Sequence, residues 1–160
     1  MLRPVHPDDA STISEIYNHY VAETAITFEE VPLAVEEMRR RILHVTQTLP
    51  WLVCEEEGKL LGYSYAARWK ERSAYRFTVE ATVYLHPAST AKGRGSLLFE
   101  ALLTELLKRE IHCVIGGVAL PNPASIALLE KFGLRQVAHF KEVGYKFGRW
   151  IDVGYWQLLL

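Results

Sequence analysis

The sequence predicts an α+β domain in which one mixed, mostly antiparallel sheet carries helices on both faces. Three observations lead there. Residues 75–85 alternate, with Tyr75, Phe77, Val79, Ala81, Val83 and Leu85 on one side and Arg76, Thr78, Glu80, Thr82 and Tyr84 on the other; that is the period of a strand with one apolar and one polar face. Phe99, Leu102, Leu103, Leu106 and Leu107 then recur at helical spacing, and an apolar run follows at 112–120. A helix therefore crosses over between two parallel neighbours. Strand-like runs that read as antiparallel flank this unit at 51–67 and 134–160, which makes the sheet mixed.

Taken in order, residues 2–5 form a short first strand. Asp8 or Asp9 starts a helix whose stripe is Ile13, Ile16, Tyr17, Tyr20 and Val21. Residues 24–30 break that pattern. Pro32 suits a first helical turn, and Val35, Met38, Ile42, Val45 and Leu49 make the stripe of a second helix. Residues 51–54 and 60–67 are strands joined by a turn at 55–59 that contains Gly58. A loop at 68–74 leads to the alternating strand, which Pro87 ends. After the crossover helix and the strand at 112–120, Pro121-Asn122-Pro123 interrupts the chain. A short helix at 125–132 stops at Gly133, and the last strands are 134–143 and 151–160, separated by residues 144–150.

The crossover helix opens on Lys92-Gly93-Arg94-Gly95-Ser96. Glycines let a ligand approach the backbone, and the unpaired N–H groups of a first helical turn point at it. Lys92 and Arg94 add positive charge, so a phosphate or pyrophosphate is expected. A plain strand-to-helix loop is the competing reading. A P-loop is excluded because the lysine precedes the glycine, and a dinucleotide fingerprint is excluded because it needs three glycines opening a βαβ repeat.

With 160 residues the chain is one domain, 1–160, that can bury a sizeable core. A net charge of −1 gives no general reason to expect nucleic acid or an acidic membrane. Arg39-Arg40-Arg41 lies on an amphipathic helix and reads as a solvated face. Cys54 and Cys113 sit in apolar strand-like runs and read as reduced core thiols of a cytoplasmic protein. No signal peptide or membrane-spanning run is expected. His86 and His139 lack partners at ligand spacing, so no metal is assigned.

Gly93 and Gly95 match the two small positions of the pyrophosphate loop of the GNAT N-acetyltransferases, which the stretch resembles; Thr90 stands where that motif has Gln or Arg. The predicted order β-α-α-β-β-β-α-β-α-β-β is also the layout of the GNAT (acyl-CoA N-acyltransferase) fold. Further runs resemble the phosphinothricin and methionine sulfoximine branch: Tyr17-Asn18-His19-Tyr20, Thr27-Phe28-Glu29, Trp69 through Tyr75, Glu80 through Tyr84, and Phe147-Gly148-Arg149-Trp150 with Asp152 through Gln157.

The resemblance implies an acetyl-CoA-dependent enzyme that acetylates the α-amino group of a small amino acid analogue, with acetyl-CoA as cosubstrate and a homodimer as the assembly. It implies that Lys70, Arg72 and Tyr75 grip the acceptor's acidic groups while Phe28 and Val153 wall its pocket. A guanidinium suits a carboxylate, although the 70–72 segment also reads as a solvated tip. Glu80 is the candidate base: partial burial on a strand would raise its pKa. Its competing role is a surface carboxylate paired with Arg76.

The family's strand before the glycine loop splays from its parallel neighbour, so the backbone N–H of Val83 or Leu85 would polarise the thioester. Val83, Tyr84, Leu85, Lys92, Gly93, Arg94, Gly95, Ser96 and Asn122 would hold the cofactor. Asn122 would meet the pantetheine arm, or simply be a turn residue. Many members place His or Tyr where this chain has Leu129, and Tyr84 is the substitute proton donor. Neither cysteine has a nucleophile's setting, which favours direct transfer in a ternary complex. Two alternatives are a non-catalytic acyl-CoA-binding sensor and an acetyltransferase for another amine, such as a polyamine or a protein N-terminus.

Overall fold

A computed structural model describes residues 1–90 and 92–160. Among these, seven strands and four helices follow in the predicted order: β1 (Leu2–Pro4), α1 (Ala10–Glu23), α2 (Val35–Val45), β2 (Trp51–Glu56), β3 (Lys59–Arg68), β4 (Thr78–Leu85), α3 (Arg94–Leu107), β5 (Cys113–Ala119), α4 (Pro123–Lys131), β6 (Arg135–Lys146) and β7 (Arg149–Leu159). They form one sheet in the order β1-β2-β3-β4-β5-β7-β6. Only the β4–β5 pair is parallel. The predicted α+β class, a mostly antiparallel sheet covered on both faces, is the observed one. No helix among the described residues is long and apolar enough to cross a membrane.

Two cores explain the layering. On one face α1 and α2 bury Ile13, Ile16, Val21, Met38 and Ile42 against Trp51, Val53, Tyr63 and Tyr84. On the other, α3 buries Phe99, Leu102 and Leu106 against Val79, Ala81, Val114 and Val118. Each such side chain stabilises the fold by about 1.5–3 kcal/mol through apolar burial, so α3 is anchored along its whole length. The stripe on α3 is rotated from the expected one: Leu98 is fully buried while Leu107 is 57% exposed.

Other expectations also shift. Residues Ser73–Tyr75 form a 3-10 turn, closed by Tyr75 and Arg76 N–H donating to Arg72 and Ser73 carbonyls, so β4 begins at Thr78 and Tyr75 lies outside it. The polar side of β4 is not solvated, because Tyr84 is buried beneath α1. Helix α2 begins at Val35 rather than near Pro32, since the Asn18 side chain holds both the N–H and the carbonyl of Leu33 in a non-helical turn. The expected connection at 144–150 is mostly strand. Phe147 and Gly148 alone turn the chain, with φ of 53° and 71°, the left-handed pair that a two-residue hairpin needs.

One irregularity positions the site. β4 and β5 pair only at Thr78–Cys113, Val79–Val114 and Glu80–Ile115. Beyond Glu80, β4 continues to Leu85 beside β3 while β5 continues to Ala119 beside β7. The two strands part, and a gap opens through the sheet.

Candidate active site

Three hydrogen bonds fix the direction of every peptide along β4. His86 N–H donates to Leu61 O at 2.8 Å and Trp69 N–H to Thr78 O at 3.3 Å, so the even-numbered residues face β3. Cys113 N–H donates to Phe77 O at 3.1 Å, so the odd-numbered residues face β5. A strand residue's N–H and C=O point the same way and alternate along the chain. The N–H groups of Val83 and Leu85 therefore point into the gap. The Leu85 carbonyl on that side accepts a 2.6 Å hydrogen bond from Tyr20.

A cavity of about 370 Å³ occupies the gap and reaches both faces of the sheet, lined by Glu80, Tyr17, Thr27, Phe28, Tyr65, Val83, Tyr84, Val153 and Tyr155, and by Phe99, Leu128 and Leu129 of α3 and α4. Glu80 projects into it above Gly117, where an added Cβ would come within 2.9 Å of the carboxylate oxygen. Burial alone raises the Glu80 pKa above the ordinary glutamate value. Arg76 does not neutralise it, because that guanidinium donates to Ser73 O and lies over the Phe77 ring. Among the described residues Glu80 forms no ion pair and accepts no side-chain hydrogen bond, leaving a desolvated carboxylate aimed at open space.

Tyr84 lines this cavity and the next one. Its ring packs against Tyr20, Tyr17 and Tyr63 with centroids 5.1, 5.4 and 5.6 Å away. Burial holds its hydroxyl well above the ordinary tyrosine pKa. Beside it, Tyr17 Oη lies 2.8 Å from Thr27 Oγ1 and donates to the Glu29 carboxylate. Arg41 grips that carboxylate through two hydrogen bonds of 2.7 and 2.9 Å. Sequence patterning marked Tyr17 only as part of a core stripe, and gave no sign of Tyr65 or Tyr155. Their shared wall is made by strand order, which periodicity does not report.

A second cavity, about 520 Å³, continues from the first at Val83 and Tyr84 and runs past Leu85, Thr90, Gly93, Gly95, Ser96, Asn122 and Lys131. Gly93 caps α3 with φ of +73° and no side-chain hydrogen bond. The first intrahelical bond is Leu97 N–H to Gly93 O at 3.1 Å, which leaves the N–H groups of Arg94, Gly95 and Ser96 without helical acceptors. A Cβ on Gly95 would stand 3.7 Å from Leu85 and 3.9 Å from Leu128, within the cavity lining. The open glycines, the orphan donors and the length of the groove fit an extended ligand with an anionic centre.

The expected charges behave otherwise. The Arg94 guanidinium is not in the groove: it turns back to Glu56, with hydrogen bonds of 2.9 and 2.6 Å, and to Ser89 O. Its side chain therefore adds no charge to the groove. Lys92 is exposed and lines neither cavity. The cation that does line the groove is Lys131, missed in the sequence, with its Nζ 2.9 Å from Ser96 Oγ. The Asn122 Oδ1 accepts from Ser125 N–H at 3.1 Å, capping α4, and its amide nitrogen has no partner among the described residues.

Phe28 and Val153 line the first cavity, but Lys70, Arg72 and Tyr75 do not. These three are exposed on the segment between β3 and β4. The root of that segment reaches the cavity, since the Trp69 ring meets Tyr155 edge-on at 5.3 Å. Leu129 lies over Gly116, where a Cβ would be 2.7 Å from it, and closes the apolar side of the gap.

Comparison with known proteins gives this arrangement a family. The profile of the acetyltransferase (GNAT) domain matches residues 2–154. The phosphinothricin N-acetyltransferase of Streptomyces coelicolor is 37% identical over 98% of this chain and 94% of its own length. The L-methionine sulfoximine/L-methionine sulfone acetyltransferase of Salmonella typhimurium is 37% identical over 95% of this chain and 90% of its own. A phosphinothricin acetyltransferase from Sinorhizobium meliloti, solved in complex with acetyl-CoA, superposes with a TM-score of 0.97 at 34% identity, over 100% of this chain and 88% of that one.

Proposed function

Since the chain belongs to the GNAT acetyltransferase family and is an N-acetyltransferase, we propose that it moves an acetyl group from acetyl-CoA to the α-amino group of a small amino acid analogue of the phosphinothricin or methionine sulfoximine type. One observation carries this reading. The groove with the anion cradle and the cavity with the buried carboxylate meet where Val83 N–H points into the gap. Donor and acceptor would therefore meet beside a backbone donor, as direct transfer in a ternary complex requires.

Acetyl-CoA supplies an activated acyl thioester. The amides of Arg94, Gly95 and Ser96, with Lys131, would hold its pyrophosphate, and the Asn122 amide its pantetheine arm. Val83 or Leu85 N–H donates to the carbonyl oxygen that gains charge, a donor already fixed before the reaction. Glu80 accepts the proton of the acceptor's ammonium, directly or through a water, because only the neutral amine has a lone pair to attack. As the C–N bond forms and the C–S bond breaks, the nitrogen's second proton would pass to the departing sulfur through the Tyr84 hydroxyl, which gives one proton and regains one. Leu129 cannot donate, but a thiolate with a conjugate pKa near ~8.5 needs little help. Lys70, Arg72 and Tyr75, rooted at the cavity mouth through Trp69, would meet the acceptor's acidic groups.

The molecule is proposed to work as a homodimer. Val143, Tyr145, Phe147 and Trp150 are each more than half exposed along the β6–β7 hairpin, an apolar band that a second copy would cover. The buried free thiols of Cys54 and Cys113 suit a reducing, cytoplasmic setting.

The test is CoA release from acetyl-CoA with phosphinothricin, methionine sulfoximine, ordinary amino acids and spermidine as acceptors. Turnover on an amino acid analogue, lost in Glu80→Gln, is expected. The competing reading, a non-catalytic acyl-CoA sensor, is favoured by Leu129 at the proton donor's position; acetyl-CoA binding without turnover on any amine would establish it instead.

A further inference from the structure

We propose that Lys146 is a positioning residue for acceptor binding: from the β6–β7 hairpin it clamps the connection between α1 and α2 that walls the acceptor cavity. The inference rests on the acetyltransferase reading for its substrate and on the fold for everything else. No helix or strand covers residues 24–34, yet Thr27 and Phe28 from this segment line the cavity. An irregular wall keeps its shape only if its backbone is held at particular points.

Lys146 supplies one such point. It is 1% exposed, a state that lysine rarely adopts because its ammonium must leave water. Its Nζ donates to the Thr27 carbonyl at 2.8 Å, across 119 residues of sequence. An apolar side chain of similar length would fill the same space without that desolvation cost, so packing alone does not call for lysine. The ammonium lies 5.1 Å from the centre of the Phe147 ring and feels the charges of Glu29 and Glu30, but its one hydrogen bond among the described residues goes to that carbonyl, which belongs to the residue whose hydroxyl meets Tyr17.

A second contact from the same strand acts in parallel. Phe28 packs directly on Gly144, where an added Cβ would lie 2.3 Å from the ring. The hairpin thus holds the segment by a charge at Thr27 and by shape at Phe28. The rest of the segment is tied to the helices, through Glu29 to Arg41 and Leu33 to Asn18. Loss of Lys146 would loosen the wall at the Thr27 backbone, leaving the Thr27 hydroxyl on Tyr17, Phe28 on Gly144 and the ends attached. Ile26 from this segment also lines the nucleotide groove, but the two clamped residues, Thr27 and Phe28, line the acceptor cavity alone.

The experiment compares Lys146→Met and Lys146→Arg with wild type, using steady-state kinetics on both substrates and amide hydrogen exchange. Lys146→Met is expected to raise the acceptor KM about tenfold, the scale of one charged hydrogen bond, with the acetyl-CoA KM nearly unchanged. Exchange should quicken at residues 25–30 and stay slow in α3, and Lys146→Arg should restore part of both. A folded Met variant with wild-type KM and exchange overturns the proposal. So does an equal loss for both substrates with exchange raised throughout, which marks a merely structural lysine. If the Met variant does not fold, Gly144→Ala carries the test: the same selective rise supports the clamp, and an unchanged acceptor KM overturns it. Exchange needs no substrate. If wild type turns over none of the amines, the functional reading fails while exchange at 25–30 still decides the clamp.

Discussion

Glu80 shows how a strand position becomes chemical. Among the described residues its carboxylate has no compensating charge, and burial raises its pKa. Below that raised value the carboxyl is protonated and cannot accept a proton, so kcat/KM should fall as pH drops through a pKa above the ordinary glutamate range. In Glu80→Gln that limb should vanish, with kcat lower by about 10²–10⁴; a pH–rate profile of the two proteins checks this. Linkage gives a second expectation. Because the folded pKa is raised, the unfolded chain loses this proton first, and stability is lost as pH rises from the unfolded value through the folded one. Glu80→Gln should therefore melt no lower than wild type at neutral pH, an advantage that disappears below the ordinary glutamate pKa, as paired thermal melts would show. The alternation of β4 and the resemblance around Glu80 made this residue legible. Tyr17 and Lys131 were not, because helical spacing labels one as core and the other as surface. Only the meeting of α1, β4 and α4 around the two cavities brings them to the site.

At the start of α3, sequence and structure agree on the glycines and differ on the cations. Gly93 holds φ of +73° with nothing near its missing Cβ, so the demand there is purely on the backbone. Gly93→Ala should cost roughly 1–2 kcal/mol, the strain of a left-handed residue with a Cβ; calorimetry should register a drop of about 2–8 °C in Tm. At Gly95 the requirement is space. Gly95→Val should raise the acetyl-CoA KM while leaving Tm close to wild type, and a stability assay beside the kinetics separates the two glycines. Arg94 was misread because charge beside a glycine loop points to an anion, whereas the folded chain offers it Glu56 from the β2–β3 hairpin, 38 residues away. That pair braces the loop from behind. Pairings of such separation depend on hairpin position, which local pattern does not encode.

Across the whole molecule, the order of elements was readable because each boundary carries its own punctuation, among them Pro87, Gly133 and the 121–123 interruption. The burial of both sheet faces was less readable, since β4 hides a tyrosine on its nominally polar side. If the exposed band on β6 and β7 is the proposed dimer contact, Tyr145→Lys with Trp150→Lys should convert a dimer to a monomer in sedimentation, and a wild type that sediments as a monomer would remove the dimer from the account. The parting of β4 from β5 bears on how the enzyme tolerates mutation. The proposed polarising donor is a main-chain N–H left free where β4–β5 pairing stops at Glu80, so any coded residue except proline at 83 or 85 would still present it. A side-chain scan at these positions would thus report packing and cavity shape and leave the donor itself undetected. Replacing the Val83 amide by an ester, with every side chain kept, should lower kcat by about 10²–10³ if that N–H is the donor, and the same change at Leu85 would assign the other. A step carried by the backbone in this way is shielded from most genetic change, and variation in this protein would fall instead on the residues that choose the acceptor.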